Sequence, residues 1–373
     1  MNLLFIEDQR ESVEPAIRTL RRSRKYAYTS KVVGFQETEQ SIDEFAPDIV
    51  ILDLLEVMDG GDRQPIGLAQ YDVVWDRLFC PLVVYSAQPE IATDRHEPHP
   101  FVKAVQKGRD SVPHLVETIR DLRPHVEALR EAKLHIRHQF ARALRDVAPY
   151  AFKNLKSKAE VSEAIIRSGR RRLAALMDTQ PGETLAPWEH YLYPPLSENI
   201  QLGDLLMVAG AADDEPSSFR VVLTPSCDLE TSDGRVPKVA SALVARCCSI
   251  KKGINLTSLG NMNANKLKTR LPSTVLTHGY FETILPLPGL SGRIPCMAAN
   301  LRDIELIPLD HIGNGAVEFR RVASMDSPFR ELVAWSYMQV AGRPGLPDRD
   351  VQKWTEEILA ACQKEEEQNE APR

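Results

Sequence analysis

The sequence predicts a multidomain protein of α/β plus β class, and three observations carry that reading. Its 373 residues exceed the roughly 250–300 at which a single hydrophobic core stops growing. As far as residue 123, short apolar runs alternate with amphipathic stretches, the pattern of a doubly wound parallel sheet. Beyond residue 180 the runs are short and separated by turn residues, the pattern of a small β-barrel. The expected divisions are 1–123 for the α/β domain, 124–180 for a helical connector, 181–320 for the β-rich domain, 321–362 for C-terminal helices and 363–373 for a disordered acidic tail.

In chain order, LLFI (3–6) is a strand ending at Glu7 and Asp8, and ESVEPAIRTLRRSRK follows with Val13, Ile17 and Leu20 at helical spacing. KVVGF (31–35) reads as a second strand, SIDEF as part of a second helix, and the β-branched run DIVILDLL (48–55) as a fully buried third strand. LAQYDVVWDRL is a helix, PLVVYS (81–86) and FVKAVQ (101–106) are strands, and VPHLVETIRDL is a helix. QPEIATDRHEPHP, after Ser86, has little helical pattern, so a helix there is expected to be short or missing.

In a doubly wound sheet the ligand site lies beyond the carboxyl ends of the strands, where the strand order reverses. Those ends carry Glu7, Asp8, Asp53, Ser86 and Lys107. Three carboxylates meeting one ammonium call for a hard cation, because close like charges repel unless neutralised. Mg²⁺ suits the set, since it prefers oxygen ligands and readily adds a phosphate oxygen. Lys103 competes with Lys107 for the lysine position while the strand register is open.

With these residues in place, the N-terminal third resembles a response-regulator receiver domain. The resemblance implies that Asp53 accepts a phosphoryl group and that Glu7, Asp8, Asp53 and the main-chain carbonyl of Leu55 hold Mg²⁺. Ser86 and Lys107 would contact the phosphoryl oxygens, and a histidine kinase or other phosphodonor would be the partner. The sequence departs from the family at Gly108, where a proline is usual, and at Ala104, where an aromatic is usual, which puts the aromatic switch in doubt.

From Leu115, apolar residues recur at alternating steps of four and three through Ile119, Leu122, Val126, Leu129, Ile136, Phe140, Ala143 and Val147. That is the period of a coiled-coil seam, which would pair two chains as a homodimer; packing on a second domain gives the same stripe. Pro124 marks a kink or restart. A second helix (158–179) follows Pro149 and carries Arg170–Arg172, a solvated face or a nucleic-acid contact.

Farther on, GDLLMVAG, FRVVLTPSCDL, KVASALVARCCSI, YFETILPLP, RIPCMAANLRDIELIPL and VEFRRVA are short strands, and the chain closes with two helices around GRPGLPD. The Gly-Asp strand, the VVL-Thr-Pro strand and the late apolar strand are loosely similar to the PemK/MazF-type barrel. That likeness would imply RNA cleavage and carries over only Arg220 and Thr224. Cys227 beside Asp228 is a turn residue or a nucleophile awaiting a base such as His278. Cys227, Cys247, Cys248, Cys296 and His278 lack the paired spacing of a zinc site. The polar, basic segment 261–271 reads as a loop.

A net charge of -6 argues against a wholly basic nucleic-acid-binding body. No apolar run reaches the roughly 18–20 residues of a membrane span, and an acidic start is unlike a signal peptide. Six cysteines without a CxxC pair fit free thiols in a reducing, cytoplasmic setting. The leading expectation is a response regulator whose output binds or assembles; a receiver-gated nuclease and an unphosphorylated docking scaffold are its rivals.

Overall fold

Leu3, Leu4, Phe5 and Ile6 are all fully buried, so the first strand has both faces covered, as a central parallel strand must. The computed structural model describes residues 1–23, 26–57, 63–93, 99–178, 184–313, 317–343 and 348–370. Parts of the 56–66 loop, the stretch after Ser86, the link near 180, the GRPGLPD turn and the last three residues lie outside the described residues. The chain divides into two units, Met1–Gly182 and Glu183–Arg373.

In the first unit, strands β1 (Asn2–Ile6), β2 (Thr29–Val33), β3 (Ile49–Leu52), β4 (Leu82–Ser86) and β5 (Val102–Gln106) alternate with helices α1 (Arg10–Arg21), α2 (Thr38–Phe45), α3 (Gly67–Arg77) and α4 (Ser111–Asp121). The sheet order is β2-β1-β3-β4-β5, and every pair is parallel. The two faces of the strands divide cleanly. Leu3, Phe5, Ile51 and Val83 pack on Val13 and Ile17 of α1 and Ile119 of α4. Leu4, Ile6, Val50 and Val84 pack on Ile42, Tyr71 and Val74 of α2 and α3. β2 ends at Val33 because the buried Phe35 opens a tight 3₁₀ turn instead of extending the ladder. Among the described residues between β4 and β5, Glu90–Thr93 forms a helical turn.

Helix α5 (Arg123–Asn154) restarts immediately after α4, with Pro124 in its first turn, and α6 (Lys158–Asp178) folds back on it. A proline is tolerated in the first turn because its missing N–H would be unpaired there anyway. α5 also runs through Pro149. Gly169 of α6 lies so close to α5 that a β-carbon would sit 2.9 Å from the Leu144 side chain, and Arg172 bonds Asp146 at 2.5 Å.

In the second unit, β6 (Tyr191–Leu192), β7 (Asp204–Val208), β8 (Phe219–Val222), β9 (Ser241–Ser249), β10 (Ile284–Leu287), β11 (Met297–Pro308) and β12 (Phe319–Met325) form one antiparallel sheet in the order β10-β11-β9-β8-β7-β12-β6. Among the described residues no ladder joins β10 to β6, so the expected barrel is open in its backbone pairing. A side chain bridges the gap: the Tyr191 hydroxyl donates to the Pro288 carbonyl at 2.8 Å. Leu205, Phe219, Ala299 and Met325 fill the core on one face, and Leu206, Val222, Val244 and Phe319 on the other. Helices α7 (Ile250–Asn255) and α8 (Ala264–Arg270) follow β9. The last strand runs to Met325, beyond the expected limit of 320. Helices α9 (Phe329–Ala341) and α10 (Val351–Glu370) follow. The stretch expected to be a disordered tail from 363 is therefore the end of α10 as far as Glu370.

Candidate functional site

The parallel ladder extends one residue past the strands at the carboxyl edge. Glu7 N donates to Val33 O at 2.9 Å, Asp53 N to Ile6 O at 3.0 Å and Lys107 N to Ser86 O at 2.8 Å. These bonds fix the backbone at the positions that carry the polar side chains. Lys107 Nζ lies 2.6 Å from Glu7 Oε2 and 2.5 Å from Asp53 Oδ2. Asp53 Oδ1 turns the other way and accepts from the Leu54 amide at 2.7 Å and the Leu55 amide at 3.3 Å. Glu7 and Asp53 are buried, whereas Asp8 is exposed.

Oxygens of Glu7, Asp8 and Asp53 all lie within 4.8 Å of one another, the one such acidic, histidine or cysteine group among the described residues. Three carboxylates against one ammonium leave two negative charges, which one divalent cation would balance. The donor set is all oxygen, as Mg²⁺ requires. Burial pushes the Glu7 carboxyl above the usual carboxylate range, against the opposing pull of Lys107. Burial works to lower the Lys107 pKa, but the Glu7 charge and the bonds to Asp53 and Glu7 outweigh it and hold the ammonium more firmly charged than usual.

Ser86 is wholly buried at the last position of β4, and its hydroxyl has no hydrogen-bond partner among the described residues. A buried orphan hydroxyl carries a cost of about 1–3 kcal/mol, so it marks a place where an acceptor is awaited. Lys103, in contrast, is exposed along β5, which leaves Lys107 as the lysine of the site. Ala104 is exposed as well.

Two supports were not picked out from the sequence. The Tyr85 hydroxyl and Ser111 Oγ are 2.7 Å apart, and Ser111 Oγ donates to Gly108 O at 2.9 Å, which pins the turn after Lys107. Gly67, at the start of α3, donates its amide to Leu54 O at 3.0 Å. A β-carbon there would lie 2.2 Å from Asp53 O and 2.5 Å from Leu54 Cα. A glycine opening the helical run GLAQY was the available signal, but its neighbour in space was not legible.

In the second unit the residues taken from the barrel likeness have structural partners. Arg220 Nε binds Glu305, and its Nη1 donates to Ser217 O at 2.7 Å; Arg246 Nη2 meets Glu305 at 2.5 Å. Thr224 Oγ1 accepts from the Leu243 amide at 2.7 Å. Asp204, the acid of the Gly-Asp strand, is buried between Ser324 Oγ at 2.6 Å and Arg321 Nε at 2.9 Å. Cys227 is exposed, 3.7 Å from Asp228, which is itself held by Lys238 at 3.0 Å. The cysteines and His278 are not gathered into a metal-binding group among the described residues.

No family model matches the sequence, and no curated protein matches it. Among solved structures, the chain is similar to a two-component transcriptional regulator AraC from Clostridium phytofermentans ISDg, with a TM-score of 0.27 and 12% identity over 36% of this chain and 98% of that one. It is similar to the REC domain of the PhyR response regulator from Erythrobacter litoralis, with a TM-score of 0.23 and 18% identity over 31% and 86% of the two chains. For a structure of the PhyR stress response regulator the TM-score is 0.22 and the identity 20%, over 30% and 40%. No described helix is long and apolar enough to cross a membrane.

Proposed function

We propose that the N-terminal domain is the phosphoacceptor receiver of a response regulator, with Asp53 as the phosphorylated residue. The observation that carries this is the Lys107 ammonium, within 2.6 Å of Glu7 and 2.5 Å of Asp53. Glu7 and Asp53 form one oxygen cluster with Asp8, on the strand edge that also holds Ser86.

An Asp53 carboxylate oxygen attacks the phosphorus of a phosphohistidine or acetyl phosphate, the P–N or P–O bond breaks, and an acyl phosphate forms as the leaving group departs with its electron pair. Lys107 gives up its bond to Asp53 Oδ2 and follows the charge onto a phosphoryl oxygen. Ser86 donates its unused hydroxyl to another. Glu7, Asp8, Asp53 and the Leu55 carbonyl would hold Mg²⁺, which offsets the charge of the transferring group. The Leu54 and Leu55 amides orient the Asp53 side chain throughout.

A cytoplasmic histidine kinase or another phosphodonor is the partner in this reading. The added charge biases a two-state surface of the receiver, and α5 and α6 form a connector that dimerises and passes the change to an output that binds or assembles. The nuclease alternative is weaker, since Arg220 is engaged by Glu305 and Thr224 by the Leu243 amide.

The test is incubation of the full chain with acetyl phosphate and Mg²⁺, followed by intact mass and a phosphate-affinity gel. A Mg²⁺-dependent gain of one phosphoryl group that Asp53→Asn abolishes is expected. No modification, with Asp53→Asn indistinguishable from wild type, would leave the domain a docking scaffold.

A further inference from the structure

Two adjoining cavities of the second unit share one lining residue, His278, and only one of them holds arginines. The larger, about 760 Å³, is lined by Ile254, Val275 and Leu276 from the helical segment, by Leu285 and Leu287 of β10, and by Leu332 of α9. Its size lies within the roughly 300–1,000 Å³ of small-molecule sites. Two of the polar side chains around it already have partners. Thr277 Oγ1 donates to Pro272 O at 2.6 Å, and His190 Nδ1 lies 2.8 Å from Pro187 O while its ring stacks on Phe329 at 3.6 Å. Burial lowers the His190 pKa. A cavity walled mainly by aliphatic and aromatic side chains suits hydrocarbon better than water.

The second cavity, about 620 Å³, holds Arg302 and Arg343 beside Tyr280 and Trp335, whose rings meet edge to face at 5.1 Å. Neither arginine forms an ion pair among the described residues. Glu282 also lines the cavity. Its backbone is in the left-handed region at φ 52, and its carboxylate accepts from the Ser258 amide at 3.1 Å. Two guanidinium groups against one already bonded carboxylate leave a net positive end.

We propose that the C-terminal unit binds a small, soluble anionic amphiphile, with its hydrocarbon body in the larger cavity and its acidic head at Arg302 and Arg343. Neither the phosphoacceptor site nor its occupancy enters this assignment.

The test is titration of the full chain with octanoate, decanoate and dodecanoate below their micellar concentrations. Saturable binding should tighten about fourfold per added methylene, the equivalent of about 0.8 kcal/mol each. Decyltrimethylammonium should bind at least tenfold more weakly than decanoate, and Arg302→Glu should narrow or reverse that preference. Leu276 is exposed at the cavity wall, so Leu276→Trp should abolish dodecanoate binding without changing the far-ultraviolet circular dichroism.

The cysteines give a readout that needs no variant. Cys296 lines the cavity and is exposed, as are Cys227 and Cys362 outside its lining. Dodecanoate should slow alkylation of Cys296 at least fivefold and leave the other two unchanged, as read by peptide mass spectrometry. Absence of saturable binding, equal affinity for the cationic amphiphile, or an unprotected Cys296 would overturn the proposal. So would binding only to vesicles of anionic phospholipid. Binding that emerged only in Trp354→Asp/Ile358→Asp would make the exposed apolar stripe of α10 the natural occupant and overturn it as well.

Discussion

Replacing Gly67 by alanine tests whether the α3 start positions the acidic site. The new β-carbon would lie 2.2 Å from Asp53 O and 2.5 Å from Leu54 Cα. Ordinary contact begins near about 3.4–4 Å, so one backbone must retreat by about 1 Å, and no side-chain rotation can relieve it. Gly67 is not at positive φ, so alanine by itself would favour the helix by up to about 1 kcal/mol through the unfolded chain. Overpacking costs typically about 1–3 kcal/mol, and here the strained atoms are the main chain of the nucleophile. The expected net loss is about 2 kcal/mol in denaturant unfolding. The rate of Mg²⁺-dependent phosphorylation should fall at least tenfold as the Leu54 and Leu55 amides shift from Asp53 Oδ1. Gly34→Ala and Gly108→Ala are the controls, because a β-carbon at either position meets nothing within 4 Å. If Gly67→Ala were as stable as these controls and phosphorylated at the wild-type rate, the positioning role would be wrong.

Ser86→Ala removes a buried hydroxyl that has no partner, so stability measured by denaturant should hold or rise by about 1 kcal/mol while phosphoryl transfer to Asp53 slows. Lys107→Ala should abolish any phosphorylation-dependent change in hydrogen exchange, whereas Lys103→Ala, at an exposed position, should leave it intact. Cys80 is buried, and that burial pushes its thiol from 9.0 up to about 12. The native state therefore holds a proton that the unfolded chain releases, and stability is lost as pH rises between those values, by at most about 4 kcal/mol. Cys80→Ala should show a shallower decline in unfolding free energy from pH 9 upward than wild type; equal slopes would contradict the shift.

The five alternating strands of the α/β domain were legible because apolar runs recur between amphipathic stretches, most plainly in the strands buried on both faces, β1, β3 and β4, and a parallel sheet leaves the side chains beyond the strand ends on one rim. That is why Glu7, Asp53, Ser86 and Lys107 were placed together from the sequence. The choice between Lys103 and Lys107 was not legible, since it depends on pairing register: Lys103 lies opposite Val83 within the ladder, while Lys107 lies one residue past it. Closure of the barrel was not legible for a related reason. Local strand patterns say nothing about whether the last edge returns to the first, and here β6 supplies only two residues, with Tyr191 reaching Pro288 through its side chain.

The stripe along α4 and α5 shows most plainly how one periodicity can have several causes. Leu115, Ile119, Leu122 and Val126 belong to the core of the α/β domain. Ala143 is buried in the half of α5 that meets α6, next to the Leu144 side chain against which Gly169 lies. Between these two packed sections, Ile136 and Phe140 are each more than 40% exposed. A heptad count treats all of these positions alike, because any helix that buries one face yields spacings of three and four. The dimerising connector therefore rests on the exposed middle section rather than on the whole repeat. Ile136→Glu should weaken self-association in sedimentation while leaving the folding of the α/β domain unchanged. A wild-type chain that sediments as a monomer at every concentration, or an Ile136→Glu variant that associates as tightly as wild type, would assign the stripe to packing within one chain.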